Sequence, residues 1–126
     1  MTGGRKIRPL LMEKKMPFLT IKTNGFCNDN KLAEKAAALE AEVLGKPLKV
    51  VAVDLMYNAQ MAFDGSQQKT GVWIELASIG FKDRVLVVAA LTEFAIENFK
   101  AERDLVCVRL IDLSANEVAH GGRLLG

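Results

Sequence analysis

The fold is indicated by the stretch VWIELASIGFKDRVLVVAALTEFAIENFKAERDLVCVRLI, residues 72–111. Its first part has the two-residue period of a strand that ends near Ser78, with apolar side chains at Val72, Ile74 and Leu76. Asp83 can cap the helix that follows. The apolar face of that helix is formed by Val88, Leu91, Ala95 and Phe99. Alternation then returns at Val106, Val108 and Leu110, so the stretch predicts a strand, a helix and a strand.

The same order of elements occurs earlier in the chain. Residues 17–23 alternate as a strand does, and the helix that follows has apolar residues at Leu32, Ala36, Leu39 and Val43. Gly45 ends this helix and Pro47 prevents its continuation. A β-branched run from Val50 to Leu55 predicts the next strand. The chain therefore consists of two β-α-β units joined by a polar connector over residues 58–71.

The two units together predict an α+β domain with two layers. A helical crossover requires parallel strands and a right-handed connection, so two units side by side give a four-stranded sheet with both helices on one face. The opposite face is left uncovered. Its apolar residues, according to the register, are Phe18 or Leu19, Ala52 or Val51, and Trp73 or Ile74. A surface of this kind favours a partner, and closed homo-oligomers are the commonest solution.

Composition and charge limit the possible classes of protein. Half of the 126 residues are hydrophobic, which is sufficient for one core, yet the longest apolar runs are far shorter than the roughly 20 residues of a membrane helix. Residues 1–16 hold five basic residues and one acidic residue, a charge of +4, whereas the other 110 hold 12 basic and 14 acidic residues, a charge of −2. We therefore predict a domain over residues 17–126, an extension outside it, and no membrane or nucleic-acid partner.

The cysteines and the start of the chain indicate the compartment. Cys27 and Cys107 are far apart and lie in no ligand pattern, which argues against a disulfide framework or a zinc site. Residues 1–16 lack the apolar core and the cleavage site of a secretory signal. These observations predict a cytoplasmic protein with two free thiols and no metal.

Several short motifs occur in order along the chain. They are Met16-Pro17, Thr23-Asn24, Gly45-Lys46-Pro47, Met61-Ala62-Phe63 with Gly65-Ser66, Ser78-Ile79-Gly80, and Asp112 followed by Val118. In this order and spacing the chain, from Pro17 to about Val118, resembles the tautomerase superfamily in its macrophage migration inhibitory factor branch. The resemblance implies the same duplicated β-α-β fold, and a homotrimer whose sheets pack around a central axis.

The resemblance also implies a chemistry. Active sites in this family lie between subunits, around a mature N-terminal proline that acts as the base in keto-enol tautomerisation of small carbonyl acids such as phenylpyruvate. Pro17 matches that proline. A free N-terminal proline is a secondary amine that accepts a proton, whereas a proline within a chain is a tertiary amide without a basic lone pair. Apolar surroundings or nearby cations lower an amine pKa from its usual value of roughly 7.7 to 8.0 toward the range of a general base.

The other implied site residues are substrate contacts, and no cofactor is expected. Apolar walls come from Phe18, Ile79 and Val118, next to Ser78, and cations come from Lys46 and Arg109. Arg109 stands where the branch usually has an asparagine, and it either binds a substrate carboxylate or pairs with an acidic residue of a neighbouring subunit. Cys107 replaces a tyrosine of the pocket mouth and is interpreted as a small buried filler. Both changes favour a smaller, more anionic substrate than phenylpyruvate.

Pro17 has a second interpretation, because in the written sequence it is an internal residue at the start of a strand, where proline is common for structural reasons. Initiator methionine is readily removed before proline, and Glu13-Lys14-Lys15 requires purine-only codons, compatible with a ribosome-binding site upstream of Met16. We therefore hypothesise that translation starts at Met16.

Other residues, and the function itself, also have alternatives. Lys46 is either a substrate contact or a solvated lysine at a helix end. Asp54 is either a second acid-base group or an exposed edge charge, and the single histidine, His120, is expected at the surface or a subunit interface rather than as a catalyst. The alternative function is a non-catalytic trimeric binding or structural protein, with the basic extension as a docking arm.

Overall fold

The computed structural model describes residues 16–126. The main elements, in chain order, are β1 (Phe18–Thr23), α1 (Leu32–Leu44), β2 (Ala52–Tyr57), β3 (Val72–Ser78), α2 (Arg84–Phe99) and β4 (Val106–Asp112). A short hairpin of β5 (Ala119–His120) and β6 (Arg123–Leu124) follows. The predicted extension lies outside the described residues except for Met16, and its boundary at residue 17 stays a prediction.

The four long strands form one mixed sheet in the order β2-β1-β3-β4. Within each unit the two strands are parallel, β1 with β2 and β3 with β4, and the two units meet through the antiparallel pair β1 and β3. Both helices pack on one face of this sheet. The predicted duplicated β-α-β fold, with two layers and a four-stranded sheet, is confirmed.

The core lies between this face and the helices. Its strand residues are completely buried and aliphatic: Leu19, Ile21, Val72, Ile74 and Leu76. Each such side chain contributes roughly 1.5 to 3 kcal/mol relative to an exposed one. Neither helix among the described residues is long and apolar enough to cross a membrane.

Helix α2 begins as predicted, because the Asp83 carboxylate accepts a hydrogen bond of 3.0 Å from the Leu86 amide. The helix packs through a row of every fourth residue, formed by Val87, Leu91, Ala95 and Phe99. Such rows incline to the helix axis, and Val87 rather than Val88 continues this one. The prediction of Val88 as a core residue is therefore wrong, since its side chain is 37% exposed.

Helix α1 ends at Gly45, as predicted, with the glycine in the left-handed conformation at a φ of 64°. Pro47 then precedes a 3₁₀ turn over Leu48–Val50, in which the Val50 amide donates to the Pro47 carbonyl oxygen at 3.1 Å. Because this turn includes Val50, strand β2 starts at Ala52. The predicted strand from Val50 to Leu55 is thus shifted by two residues at each end.

The hairpin at the C-terminus was not predicted from the sequence. Its turn is formed by Gly121 and Gly122, with φ values of 60° and 82°. Two adjacent residues of positive φ match the right-handed twist of a two-residue hairpin, and a Gly-Gly pair provides them without strain. This pair is the sequence signal for the hairpin.

The helix-free side of the sheet, called the open face below, carries three rows of side chains across the four strands. In strand order the first row is Ala52, Phe18, Ala77 and Ile111. The middle row is Asp54, Thr20, Glu75 and Arg109. The third row is Met56, Lys22, Trp73 and Cys107. Two apolar or mixed rows therefore flank a charged one.

Candidate functional site

One end of the sheet brings together most of the predicted site residues. Because β1 and β2 are parallel, the start of β2 lies beside Pro17, and the Ala52 amide donates to the Pro17 carbonyl oxygen at 3.1 Å. Because β1 and β3 are antiparallel, the end of β3 at Ser78 lies there too, followed across the sheet by the end of β4 at Asp112. We call this edge the Pro17 end.

Pro17 itself is buried, with less than 2% of its surface exposed. Pro17 immediately precedes β1. Leu19 and Ile21, on the same side of the strand, are also buried. In the chain that includes Met16, the Pro17 nitrogen is a tertiary amide. A proton acceptor at this nitrogen therefore requires that the bond to Met16 be absent.

A cavity of about 220 Å³ lies at the Pro17 end. Among the described residues it is lined by Met16, Lys49, Val50 and His120. Lys49 and Val50 come from the 3₁₀ turn before β2, and His120 comes from strand β5. Met16 directly precedes Pro17 in the chain, so the residue before the proline borders the cavity. The arrangement combines two apolar side chains with two nitrogen-bearing side chains.

The predicted contacts from β3 and the C-terminal segment also lie at this end. Ile79 and Val118 are half-buried, whereas the Ser78 side chain is buried and its hydroxyl has no hydrogen-bond partner among residues 16–126. The Asp112 carboxylate accepts hydrogen bonds from the Gly80 amide at 3.0 Å and from Arg84 at 3.1 Å. These bonds fix the loop after β3 to the end of β4.

Lys46 lies on the turn after α1, near the buried carboxyl of Glu40. Glu40 is completely buried, and neither carboxylate oxygen has a hydrogen-bond partner within the described part of the chain. Burial raises the pKa of Glu40 to about 8, and the positive charge of Lys46 offsets only part of this rise. The carboxyl is therefore mainly protonated at neutral pH.

Cys107 and Arg109 lie away from the Pro17 end. Along β4, Cys107 is five residues and Arg109 three residues from Asp112, which correspond to about 16 Å and 10 Å. The Cys107 side chain is exposed, so its interpretation as a buried filler is wrong for the single chain. It stands on the open face because side chains alternate along β4.

Arg109 meets a carboxylate of its own chain. Its Nη1 atom is 3.6 Å from Oε2 of Glu75, and the same oxygen accepts a hydrogen bond of 3.1 Å from the indole of Trp73. Asp54 is exposed on β2, an edge strand, in the same row. The open face thus holds its own ion pair before any second chain is considered.

Sequence reasoning missed two residues of the cavity and gave little weight to a third. Lys49 was not assigned to any element and Val50 was assigned to a strand, although their position three and four residues after Lys46 is a usable signal. His120 was expected at the surface or at a subunit interface, and in the single chain it is exposed. Within residues 16–126 no group of three or more His, Cys, Asp or Glu side chains comes together in a way that could hold a metal ion.

Solved structures similar to this chain share its fold. The macrophage migration inhibitory factor from Trichinella spiralis superposes with a TM-score of 0.77 at 21% identity, covering 85% of this chain and 98% of that one. A homologue from Prochlorococcus marinus gives 0.76 at 24%, covering 86% and 99%, and the protein from Toxoplasma gondii gives 0.74 at 26%, covering 85% and 98%.

A search among curated protein sequences finds no significant match. The sequence model of one family, described as macrophage migration inhibitory factor, matches residues 16–126. That range includes the four-stranded sheet, both helices and the cavity at the Pro17 end. The chain therefore belongs to the macrophage migration inhibitory factor family and has the tautomerase fold.

Proposed function

We propose that this protein, in a form that begins at Pro17, is a cofactor-free keto-enol tautomerase acting on a small oxo acid of the phenylpyruvate class. The observation that carries the proposal is the cavity of about 220 Å³ that is lined by Met16, the residue before Pro17. Loss of Met16 converts the nitrogen of the buried proline into a secondary amine and removes the side chain that borders the cavity on this side. A cytoplasmic location, with Cys27 and Cys107 as free thiols, is part of the proposal.

Burial prepares this amine for its role. Desolvation disfavours the protonated form of an amine, so its pKa falls below the usual α-amino value. A neutral Pro17 can then remove the α proton of the oxo acid. The enolate oxygen is stabilised by cationic side chains, and the proton returns to the other position, so the substrate and product are isomers.

We propose that a neighbouring subunit provides the remaining contacts with the substrate. Within one chain, Cys107 and Arg109 are separated from the Pro17 end by about 10 to 16 Å of strand. In a homotrimer whose sheets pack around an axis, the open face of one chain meets the next chain. Arg109, whose Nη1 atom lies 3.6 Å from Glu75 in the single chain, can then polarise the oxo group of a substrate bound to the next chain.

The direct test compares three forms of the protein. Protein translated from Met16, with Met16 removed and Pro17 confirmed as the first residue by intact-mass analysis, is assayed for ketonisation of phenylpyruvate and hydroxyphenylpyruvate. We expect it to exceed both the full-length chain and the Pro17→Ala variant by roughly 100-fold or more, the contribution of a general base.

Sedimentation velocity on the same three forms provides the control. We expect all three to form the same trimer, because all three contain the four strands that form the open face. Equal, negligible rates in three intact trimers would overturn the enzyme proposal in favour of a non-catalytic binding or structural protein.

A further inference from the structure

Two side chains of the cavity carry the chemistry of an anion site. Lys49 and His120 line it together with the apolar residues Met16 and Val50. A lysine ammonium donates up to three hydrogen bonds, and an imidazole donates an N–H in either protonation state. Within the described residues, neither side chain forms an ion pair or a hydrogen bond with another residue.

Separate pieces of backbone hold the two side chains. Lys49 is inside the 3₁₀ turn, where the amides of Val50 and Val51 donate to carbonyl oxygens three residues earlier, at 3.1 and 3.3 Å. His120 pairs with Arg123 across the terminal hairpin, which is closed by a bond of 2.9 Å from the Leu125 amide to the Val118 carbonyl oxygen. Donors fixed on two elements suit a planar ligand held between them.

We propose that Lys49 and His120 together bind the carboxylate of the oxo acid. The oxo-acid class rests on the proposed function, whereas carboxylate binding at this pair does not depend on Pro17 as a base. The carboxylate is bound non-covalently. Both side chains donate hydrogen bonds to it, and the lysine supplies a positive charge. Met16, the residue before Pro17, lines the same cavity, and its removal opens the cavity on the side of the proline.

Lys46 is not the cation that lines this cavity among the described residues. It lies three residues earlier, near Glu40, on the turn that follows α1. Lys49 and His120 therefore become the residues of this chain that select an anionic substrate. Val50 contributes an aliphatic wall.

The single histidine of the chain makes a direct experiment possible. Its imidazole C–H signal in NMR needs no assignment, because the sequence contains one His. Benzoylformate, a 2-oxo acid that has no α hydrogen and cannot enolise, is added to the full-length chain and to the form that begins at Pro17. We expect the signal to shift in a saturable way in both forms, and benzoylformamide, the neutral amide, to cause no shift.

Calorimetry with benzoylformate then measures the contribution of each side chain. We expect Lys49→Gln and His120→Asn each to weaken binding by about 10-fold or more, as the loss of a hydrogen bond to a charged group does. Arg123→Gln is the matched control, because it removes a positive charge from the same hairpin without altering the cavity lining. It should change the affinity by less than about 3-fold at 0.15 M salt.

The outcomes separate this inference from the proposed function. A histidine signal that does not move, in a protein that does tautomerise phenylpyruvate, overturns the Lys49–His120 site alone. Equal weakening by Lys49→Gln and Arg123→Gln also overturns it, because the effect would then be general charge. Saturable, Lys49-dependent binding without any tautomerase activity supports the site and contradicts the enzyme. Circular dichroism melts of each variant confirm that the fold is retained.

Discussion

The two faces of the sheet are built from the same strands and differ in burial and polarity. On the helix-covered face the middle of strand β3 is aliphatic and completely buried, with Ile74 between Val72 and Leu76. On the open face, the residues between them are Trp73, 39% exposed, and the half-buried Glu75. Successive side chains of one strand thus alternate between the buried core and a partly exposed surface.

The difference shows which face is complete within one chain and which one the proposed homotrimer would use. The covered face is complete within one chain, since both helices lie on it. The open face places the charged pair of Glu75 and Arg109 between apolar residues such as Phe18, 48% exposed, and Trp73. An apolar surface that contains its own fixed charges is suited to a partner with a specific register.

The largest expected effect comes from adjacent residues of β3 on opposite faces. Ile74→Ala removes a completely buried side chain and should lower the free energy of unfolding by about 2 to 5 kcal/mol. Trp73→Ala should instead weaken self-association, because its indole lies on the open face. Urea denaturation combined with sedimentation velocity measures both quantities. A large loss of monomer stability in Trp73→Ala, with an unchanged oligomer, would contradict this division of roles.

The covered side contains a buried carboxyl, that of Glu40, and this group makes stability depend on pH. The folded chain retains this proton up to about pH 8, whereas an unfolded chain releases it near 4.5, so folding stability falls as the pH rises between these values. Glu40→Gln removes the dependence. We expect the variant to match the parent protein near pH 5 and to be more stable by up to about 3 kcal/mol near pH 7.

Denaturation curves from pH 5 to 8.5 test this prediction. Glu42→Gln is the matched control, since Glu42 is on the same helix but exposed, and it should leave the pH dependence unchanged. Parallel pH curves for Glu40→Gln and the parent protein would show that the Glu40 carboxyl is not held protonated.

Helix α1 shows which structural features sequence patterns can predict and which they cannot. Its spacing identified the helix, and Gly45 identified its end, because both signals are local. The core row of α1 includes Leu32, Ala36, Glu40 and Leu44, the same every-fourth-residue row as in α2. Glu40 was overlooked because a carboxylate interrupts the apolar pattern, and only the packed structure shows that it is buried.

The candidate site was predictable in part for a similar reason. Short motifs identified Pro17 and the end of β3 through the resemblance to the family, since these residues lie at the ends of strands that the alternation had already indicated. The contributions of Lys49 and His120 depend on a 3₁₀ turn and on a terminal hairpin, neither of which follows from periodicity. Cys107 and Arg109 lie far from the Pro17 end because of the strand register. The strand register could not be predicted from the sequence.

A smaller effect is expected at the start of α2, on the covered side. Asp83→Ala removes the side-chain acceptor for the Leu86 amide and should lower the free energy of unfolding by about 1 kcal/mol. Asp83→Ser is the control, because serine also caps helices and should restore most of this stability. Thermal melts of the three proteins measure the difference. If Asp83→Ser has the same melting temperature as Asp83→Ala, the charge of the Asp83 carboxylate, rather than its capping hydrogen bond, stabilises the helix.

The smallest effect on stability is expected for the ion pair of the open face. The Arg109 and Glu75 side chains are 63% and 32% exposed, and exposed pairs contribute about 1 kcal/mol or less, so Arg109→Ala should alter the unfolding free energy by no more than that. Its effect on association should be larger, because a partner chain would enclose the Glu75 carboxylate without its cation, and a buried unpaired charge is costly. Sedimentation velocity of Arg109→Ala, compared with the double variant Arg109→Ala/Glu75→Gln, tests this. The double variant should recover association that the single variant loses. If the two variants associate equally, the open face is not where the charges are enclosed.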